Sequence, residues 1–369
     1  MKENTIADRI MKILLTIIRI IVGVLFIFSG LIKANDPLGL SYKMQEYFEA
    51  WNMISLYDYA LPLALLMNVF EVVAGVAVLL GWRMKLFGWL LLLLIIFFTF
   101  LTGYAAYSGK FSSCGCFGDC IPLKPIESFW KDVVLLVLIM ILLVFHKKIR
   151  PLLSAKVSFW ILLLCTLVIS ALQWYVMTHL PLKDCLPFRA GNNLLEQMKM
   201  PEGSVPDEYE YTFRYKKDGK EFEFSQDSLP DDIDTYDFVD RGQKLIKKGN
   251  DLKPAISDFS LVTQSGTDTT QAILSQPNKY VLIFLPRITN DAIQKTKLSL
   301  IDSIKKTGTP VFIVAAQPMH IKDITVLKSD ATVIKTAARV SPTYFVMQGP
   351  IILGKYSYAR DEKVLNHLR

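Results

Sequence analysis

The sequence is poor in histidine, with four in 369 residues, and it contains only five cysteines. Three of the cysteines lie in residues 113–120, which read SCGCFGDC. They are separated by one and by three residues, so the C-x-x-C pairs typical of zinc sites are missing, and no histidine is close in sequence. We therefore expect no metal here, which leaves a structural disulfide and a redox-active pair as the main alternatives.

Long apolar runs are missing from the second half of the chain but dominate the first. The composition is 52% hydrophobic and 20% charged, too apolar for an ordinary soluble protein and too charged for one embedded wholly in lipid. Five runs are long enough to cross about 30 Å of hydrocarbon as helices. They cover residues 13–32, 60–80, 86–104, 129–145 and 159–179. We therefore predict an α-helical membrane bundle of four helices plus a fifth transmembrane helix, followed by a soluble α/β domain.

The first apolar run lacks the small-residue cleavage site of a secretory signal, and its apolar core is too long for one, so we interpret it as a retained helix. Lysine and arginine are concentrated on one side of the predicted spans, which places the N-terminus in the cytoplasm. Residues 113–120 and the chain after residue 180 then lie in the periplasm, outside the bacterial inner membrane. The net charge of +7 follows mainly from this asymmetry. It gives no indication of nucleic acid, whereas the apolar spans indicate a lipid bilayer as partner.

Only a glycine separates Cys114 from Cys116. A disulfide between them closes a small, strained ring, and strain makes a disulfide more oxidising and faster to exchange. With Cys120 or Cys185 as a resolving thiol, electrons can pass from a client dithiol to one pair, then to the other, then to a lipid-soluble acceptor. We assign Cys114 and Cys116 as the exchanging pair and Cys120 and Cys185 as the second pair. A permanent structural disulfide in an oxidising compartment is the alternative.

One acidic residue, Glu71, is expected near the middle of the second span, where a charge is costly unless it is protonated or paired. It is either a neutral acid hydrogen-bonded within the bundle, with Asn68 as a candidate partner, or a proton acceptor for a bound quinone. Asp132 is either an interfacial residue or a group that lies under the cysteines and takes a thiol proton. Cys165 stands among leucines and is expected to be a buried apolar residue.

Several motifs in residues 10–150 resemble the DoxX/MauE superfamily of small four-helix membrane proteins, also called DoxD-like. The matching positions are Ser29, Gly30, Lys33, Asp36, Pro37, Glu71, Gly75, Gly81 and the pentapeptide CGCFG at 114–118. For some DoxX-type proteins the resemblance implies quinone-linked oxidation of sulfur compounds. For MauE it implies disulfide or cofactor maturation in the periplasm.

The polar half of the chain contains strand patterns. A hairpin is predicted for residues 209–215 and 221–224, around the turn former Asp218-Gly219. Strands at 280–285 and 311–315 flank a helical pattern at 291–306, which indicates a parallel pair, and strands at 343–347 and 351–356 follow. With Ser341-Pro342-Thr343, this order resembles a membrane-tethered, periplasmic thioredoxin-like fold over residues 255–369. In that family a cis-proline faces a C-x-x-C motif, but residues 286–290 contain no cysteine.

These observations give the following domain map: a four-helix DoxX/MauE-like region at 1–150, a fifth span at 151–180, a linker at 181–207 and a periplasmic domain at 208–369. A thioredoxin-like domain without cysteine is expected to bind a client segment or to cap the cysteine loop. The predicted function is periplasmic thiol–disulfide chemistry coupled to membrane quinone, which is an enzymatic activity with a protein client. The alternative is a non-catalytic scaffold or subunit of an envelope complex with structural disulfides. A transporter is not supported, because the helices show no inverted repeat.

Overall fold

The chain forms two compact units in the computed structural model. The model describes residues 6–111, 113–205, 208–217, 219–225, 228–230, 232–247, 249–250, 252–286, 296, 298–321 and 323–368. One unit combines Met1–Asn192 with Ser260–Arg369, and the other is Asn193–Phe259. These units are defined by backbone contacts, and the domain boundaries given above remain a prediction.

The first unit begins with six helices. They are α1 (Ile6–Asn35), α2 (Pro37–Ala50), α3 (Tyr57–Leu80), α4 (Met84–Ser108), α5 (Pro125–Val144) and α6 (Ala155–His179). Four stretches have the length and apolarity of membrane-spanning helices: Asp8–Asn35, Ile54–Leu80, Met84–Ser108 and Ala155–His179. Four of the five predicted spans are therefore confirmed as candidates, and the protein is a membrane protein.

The remaining predicted span corresponds to α5, which is helical over 20 residues. It is as apolar as the other four on average, but it is not among the candidate spans because three charged residues, Glu127, Lys131 and Asp132, lie near its beginning. Lys131 and Asp132 form an ion pair there. That α5 crosses the membrane remains a prediction.

The backbones of α1 and α3 approach each other closely at glycine. A side-chain Cβ at Gly75 would lie 2.8 Å from the Gly23 carbonyl oxygen, and one at Gly30 would lie 2.7 Å from a methyl group of Val72. Small residues allow this kind of close helix packing within membranes. These contacts fix the distance between α1 and α3 close to Glu71.

A five-stranded mixed sheet forms the C-terminal part of the same unit. Its strands are β4 (Lys279–Leu285), β5 (Val311–Ala315), β6 (Thr325–Lys328), β7 (Thr343–Gln348) and β8 (Ile351–Ser357), in the order β6-β5-β4-β7-β8. The predicted parallel pair is present as β4 and β5, and β7 and β8 form an antiparallel hairpin. The peptide bond between Ser341 and Pro342, just before β7, is cis.

Short helices accompany this sheet: α8 (Thr270–Leu274), α9 (Leu298–Lys306), α10 (Ala331–Ala337) and α11 (Glu362–Leu368). The apolar side chains Ile301 and Ile304 of α9 pack against buried strand residues such as Ile283 and Ile313. The predicted helix at 291–306 is thus seen from residue 298. Residues 287–295 and residue 297 lie outside the described part of the chain.

The second unit contains a short helix, α7 (Leu194–Gln197), and a three-stranded antiparallel sheet with the order β2-β1-β3. The predicted hairpin is present as β1 (Glu208–Lys217) and β2 (Lys220–Ser225). A third strand, β3 (Asp237–Lys247), pairs with the other side of β1. Its apolar residues come in adjacent pairs, Phe238-Val239 and Leu245-Ile246, so the two-residue alternation by which strands are recognised is missing.

Candidate functional site: the cysteine loop and the pocket beneath it

The cysteine loop, residues 109–124, joins α4 to α5 at the end of the bundle where α1 and α6 also end. Cys114 and Cys116 are free thiols, whereas Cys120 is joined to Cys185 by a disulfide. Gly115 between the two thiols has a φ of +69°, a conformation that glycine adopts without strain. The hydroxyl of Ser29 on α1 donates a hydrogen bond of 3.0 Å to the Cys116 carbonyl oxygen. The loop is thus attached to α1 at one point and to the segment after α6 at another.

Cys114 and Cys116 line an enclosed pocket between the loop and the bundle. Its walls are mostly apolar and aromatic, with a smaller number of charged and polar groups. The apolar lining includes Phe26, Met67, Phe97, Phe98, Leu101 and Trp51, and the charged lining includes Lys33, Lys131 and Asp132. The cavity volume is about 70 Å³, below the roughly 300–1,000 Å³ of typical ligand sites. A flat ring can enter only if side chains in the wall move.

A buried ion pair includes Lys33, which lines this pocket. The Lys33 ammonium of α1 contacts the Glu71 carboxylate of α3, and the two side chains are 2% and 0% exposed. Lys33 also lies 4.9 Å from the centre of the Phe98 ring, a cation–π contact. The second carboxylate oxygen of Glu71 has no hydrogen-bond partner among the described residues. Glu71 is therefore held as one half of an ion pair, with one oxygen left to accept a proton or a hydrogen bond.

A second ion pair lies on α5 beside the cysteines. Lys131 contacts Asp132 at 2.5 Å, and the other carboxylate oxygen of Asp132 accepts a hydrogen bond of 3.1 Å from the Thr102 hydroxyl. Asp132 is fully buried, and Lys131 lies 5.3 Å from the centre of the Phe117 ring in the loop. Asp132 thus lines the same pocket as both thiols, as required of a group that takes a thiol proton.

The surroundings of the two thiols favour their protonated form. Burial, and to a smaller extent the nearby Cys116, raise the pKa of the Cys114 thiol to about 12, although hydrogen bonding to the Ser128 and Tyr47 hydroxyls acts in the opposite direction. Burial also raises the pKa of Cys116, and the positive charge of Lys131 opposes that effect. At neutral pH both groups are thiols, so any reaction of theirs requires a neighbouring proton acceptor.

Cys114 is accordingly expected to be slow to alkylate in the folded protein. At pH 8 iodoacetamide should modify it about a thousandfold more slowly than the unfolded chain, because the thiolate is the nucleophile and the pKa is about 12 instead of 9.0. The rate should rise about tenfold for each pH unit from 8 to 11, as judged by fragment mass spectrometry. Protein unfolded in SDS is the control, and equal rates in the two states would contradict this account of the pocket.

Asn68, His179 and Cys165 lie apart from the pocket. Asn68 donates a hydrogen bond of 3.0 Å to Gln173 of α6, so the suggested pairing with Glu71 is wrong. His179 stacks on Tyr175 with ring centres 4.3 Å apart. Cys165 is a free thiol within α6. Lys33 was predicted as a position of the DoxX/MauE motif but not as the partner of Glu71, although its place at the end of an apolar run was a signal that could have identified it.

The C-terminal sheet region contributes two buried cations beside the disulfide. Arg339, after α10, donates from Nε to Asp36 at 2.7 Å and from Nη2 to Asp119 at 2.5 Å. Lys355 of β8 donates to Asp184 at 2.6 Å. Asp119 precedes Cys120 and Asp184 precedes Cys185, so each half of the disulfide has an acid next to it that is paired with this region. No local sequence pattern indicates these contacts.

Comparison with known protein families bears on the first part of the chain. Residues 11–145 match the family model described as Methylamine utilisation protein MauE. This MauE region, somewhat more than a third of the chain, holds the pocket, both free thiols, both ion pairs and Cys120, while Cys185 comes from outside it. The predicted resemblance to MauE is confirmed over these residues.

A second family match covers a short part of the chain after the MauE region. Residues 209–248 match a domain of unknown function, DUF8463, which covers the three-stranded sheet. No curated protein and no solved structure matches the chain. The thioredoxin-like assignment of the C-terminal sheet therefore remains a prediction.

Proposed function

We propose that the protein is a membrane thiol–disulfide oxidoreductase that oxidises protein dithiols in the periplasm and passes the electrons to membrane quinone. The MauE region lies in a bacterial inner membrane with the N-terminus in the cytoplasm. The cysteine loop and the C-terminal domain face the periplasm. The C-terminal sheet has a thioredoxin-like fold that lacks cysteines, and it binds the client or covers the loop.

The observation that carries this proposal is the shared pocket of Cys114, Cys116 and the buried charges. A quinone is a flat apolar ring with two carbonyl oxygens, and it suits a pocket with mostly apolar walls and a few charged and polar groups. Lys33 and Lys131 lie where a cation stabilises negative charge developing on such an oxygen. The residues present therefore fit a quinone, which accepts two electrons and two protons when bound.

The two cysteine pairs have different roles in this proposal. A client dithiol attacks the Cys120–Cys185 disulfide, which becomes two thiols while the client forms a disulfide. Cys120 and Cys185 then reduce the disulfide form of Cys114 and Cys116, and their own disulfide is restored. Cys114 and Cys116, the two thiols of this structure, would form a disulfide and supply the two electrons and two protons that a bound quinone takes up. Asp132 and Glu71 would carry the two thiol protons.

A non-catalytic scaffold is the second candidate, and one observation favours it. Arg339 and Lys355 hold the acids next to Cys120 and Cys185, which is the arrangement expected around a permanent structural disulfide. Such a disulfide resists mild reductant, whereas a catalytic one is reduced readily. Mass spectrometry of the thiol state after treatment with glutathione separates the two candidates.

Full-length protein purified in neutral detergent tests the proposal directly. Dithiothreitol and a short-chain ubiquinone are added, and the loss of quinone absorbance is followed. The wild type should exceed the uncatalysed rate at least a hundredfold, and a Cys114→Ser, Cys116→Ser double variant should lose this activity. Cys165→Ser is the matched control and should keep it. A wild type no faster than the double variant would leave the scaffold as the better account.

A further inference from the structure

A second cavity, which is rich in basic residues, lies at the opposite end of the bundle from the cysteine loop. It has a volume of about 280 Å³ and lies between α1 and the segment that joins α5 to α6. Its lining residues are Lys12, Leu15, Thr16, Arg19, Lys148, Ile149, Arg150 and Leu152. We infer that this cavity binds the phosphate head group of an anionic phospholipid.

Arg19 is the fixed centre of the cavity. Its side chain is 7% exposed, and its Nε has no hydrogen-bond partner among the described residues. The contact of its Nη1 with the Arg150 carbonyl oxygen is long, at 3.4 Å. A guanidinium has five N–H donors in a fork that matches two phosphate oxygens. A buried arginine with unused donors at the wall of a cavity therefore requires an anionic acceptor.

The charges around Arg19 are suited to the same ligand. Lys12, Lys148 and Arg150 are exposed and can turn toward the cavity, and none of the described residues that line it is acidic. The Asp8 carboxylate contacts Lys148 at 3.4 Å, with both side chains nearly half exposed. Such a pair contributes little and is easily exchanged for a phosphate. The cavity therefore carries several positive charges for one ligand.

Its position indicates a lipid as the source of the phosphate. Lys12, Thr16 and Arg19 lie on one face of α1 within a candidate membrane span, and the apolar side chains Ile13 and Ile17 beside them are 55% and 49% exposed. Acyl chains would contact these isoleucines while the phosphate reaches Arg19. Basic pockets between transmembrane helices are suited to anionic head groups in this way.

The test measures the thermal unfolding midpoint of the full chain in neutral detergent with phosphatidylglycerol, phosphatidylcholine or inorganic phosphate added at equal concentration. Binding to the native state raises the midpoint in proportion to ligand affinity. We expect phosphatidylglycerol to raise it by several degrees and the other two to leave it unchanged. Arg19→Gln should weaken the apparent affinity for phosphatidylglycerol at least tenfold, and Arg19→Lys should do so less.

Two further variants keep the test informative if Arg19→Gln fails to fold. The double variant Lys12→Gln, Arg150→Gln alters only exposed side chains and should weaken binding at least threefold. Lys156→Gln removes an exposed cation of α6 that does not line the cavity, and it should bind as the wild type does. The inference is overturned if inorganic phosphate or phosphatidylcholine stabilises as strongly as phosphatidylglycerol. It is equally overturned if Lys156→Gln loses as much affinity as the cavity variants.

Discussion

Replacing Lys33 by methionine is expected to lower the free energy of unfolding by about 3–5 kcal/mol. The change leaves the fully buried Glu71 without its cation, and a buried charge that loses its partner is destabilising by about this amount. Unfolding in detergent by increasing SDS, followed by circular dichroism, measures the loss. Arg214→Met is a suitable control, since it removes an exposed pair with Asp240 and should cost at most about 1 kcal/mol.

A double variant, Lys33→Met with Glu71→Leu, shows whether the ion pair only stabilises the fold or also takes part in quinone reduction. Replacing both ions by apolar groups should restore stability to within about 1 kcal/mol of the wild type, because no charge is left buried. If Glu71 carries protons, this stable variant should still fail to reduce quinone. Recovery of full activity would assign the pair to packing alone. A Lys33→Met variant as stable as the wild type would contradict the burial of the pair.

Arg339→Ala is expected to cost a similar amount, about 3–5 kcal/mol. Arg339 is only 5% exposed and is shared by Asp36 and Asp119, so its loss leaves two carboxylates close together without a counter-ion. Arg339→Lys should recover only part of the loss, because an ammonium lacks the planar fork that reaches both acids. Thermal unfolding of the full chain measures the difference.

The same variant should also expose the disulfide to reductant. With Asp119 released, the Cys120–Cys185 bond should be reduced several times faster by glutathione, as followed by alkylation and mass spectrometry. Arg360→Ala, which removes an exposed contact with the Tyr175 hydroxyl, should leave both stability and reduction rate unchanged. An Arg339→Ala variant with wild-type stability and reduction rate would show that the C-terminal region does not hold the loop through this residue.

The elements were predictable wherever a local pattern encodes them. Long apolar runs identified the helices, and short apolar runs around turn formers identified the hairpins and the parallel pair of the C-terminal sheet. The third strand of the second unit was missed, because the apolar residues of β3 come in adjacent pairs and lack alternation. The charges near the beginning of α5 set it apart from the four candidate spans. They were overlooked because the mean hydropathy of the run is high despite them.

The site was predictable only in part, because its chemistry depends on contacts between distant residues. The cysteines and Glu71 were identified by type and spacing. Lys33 is 38 residues from Glu71, Cys120 is 65 from Cys185, and Asp36 is 303 from Arg339. No local periodicity reports such pairs, and four cysteines allow three different pairings. The partner of each buried charge therefore had to come from the fold.

Three residues near the end of α1 connect it to three different parts of the protein. Ser29 bonds to the cysteine loop, Lys33 to α3 and Asp36 to the C-terminal region. Each residue of a helix advances about 100° around the axis, so turning α1 by one position would break all three connections together. The rotation of α1 about its own axis thus links the cysteine loop, Glu71 and the C-terminal region. A structural change at one of these three contacts can therefore be transmitted to the other two through α1.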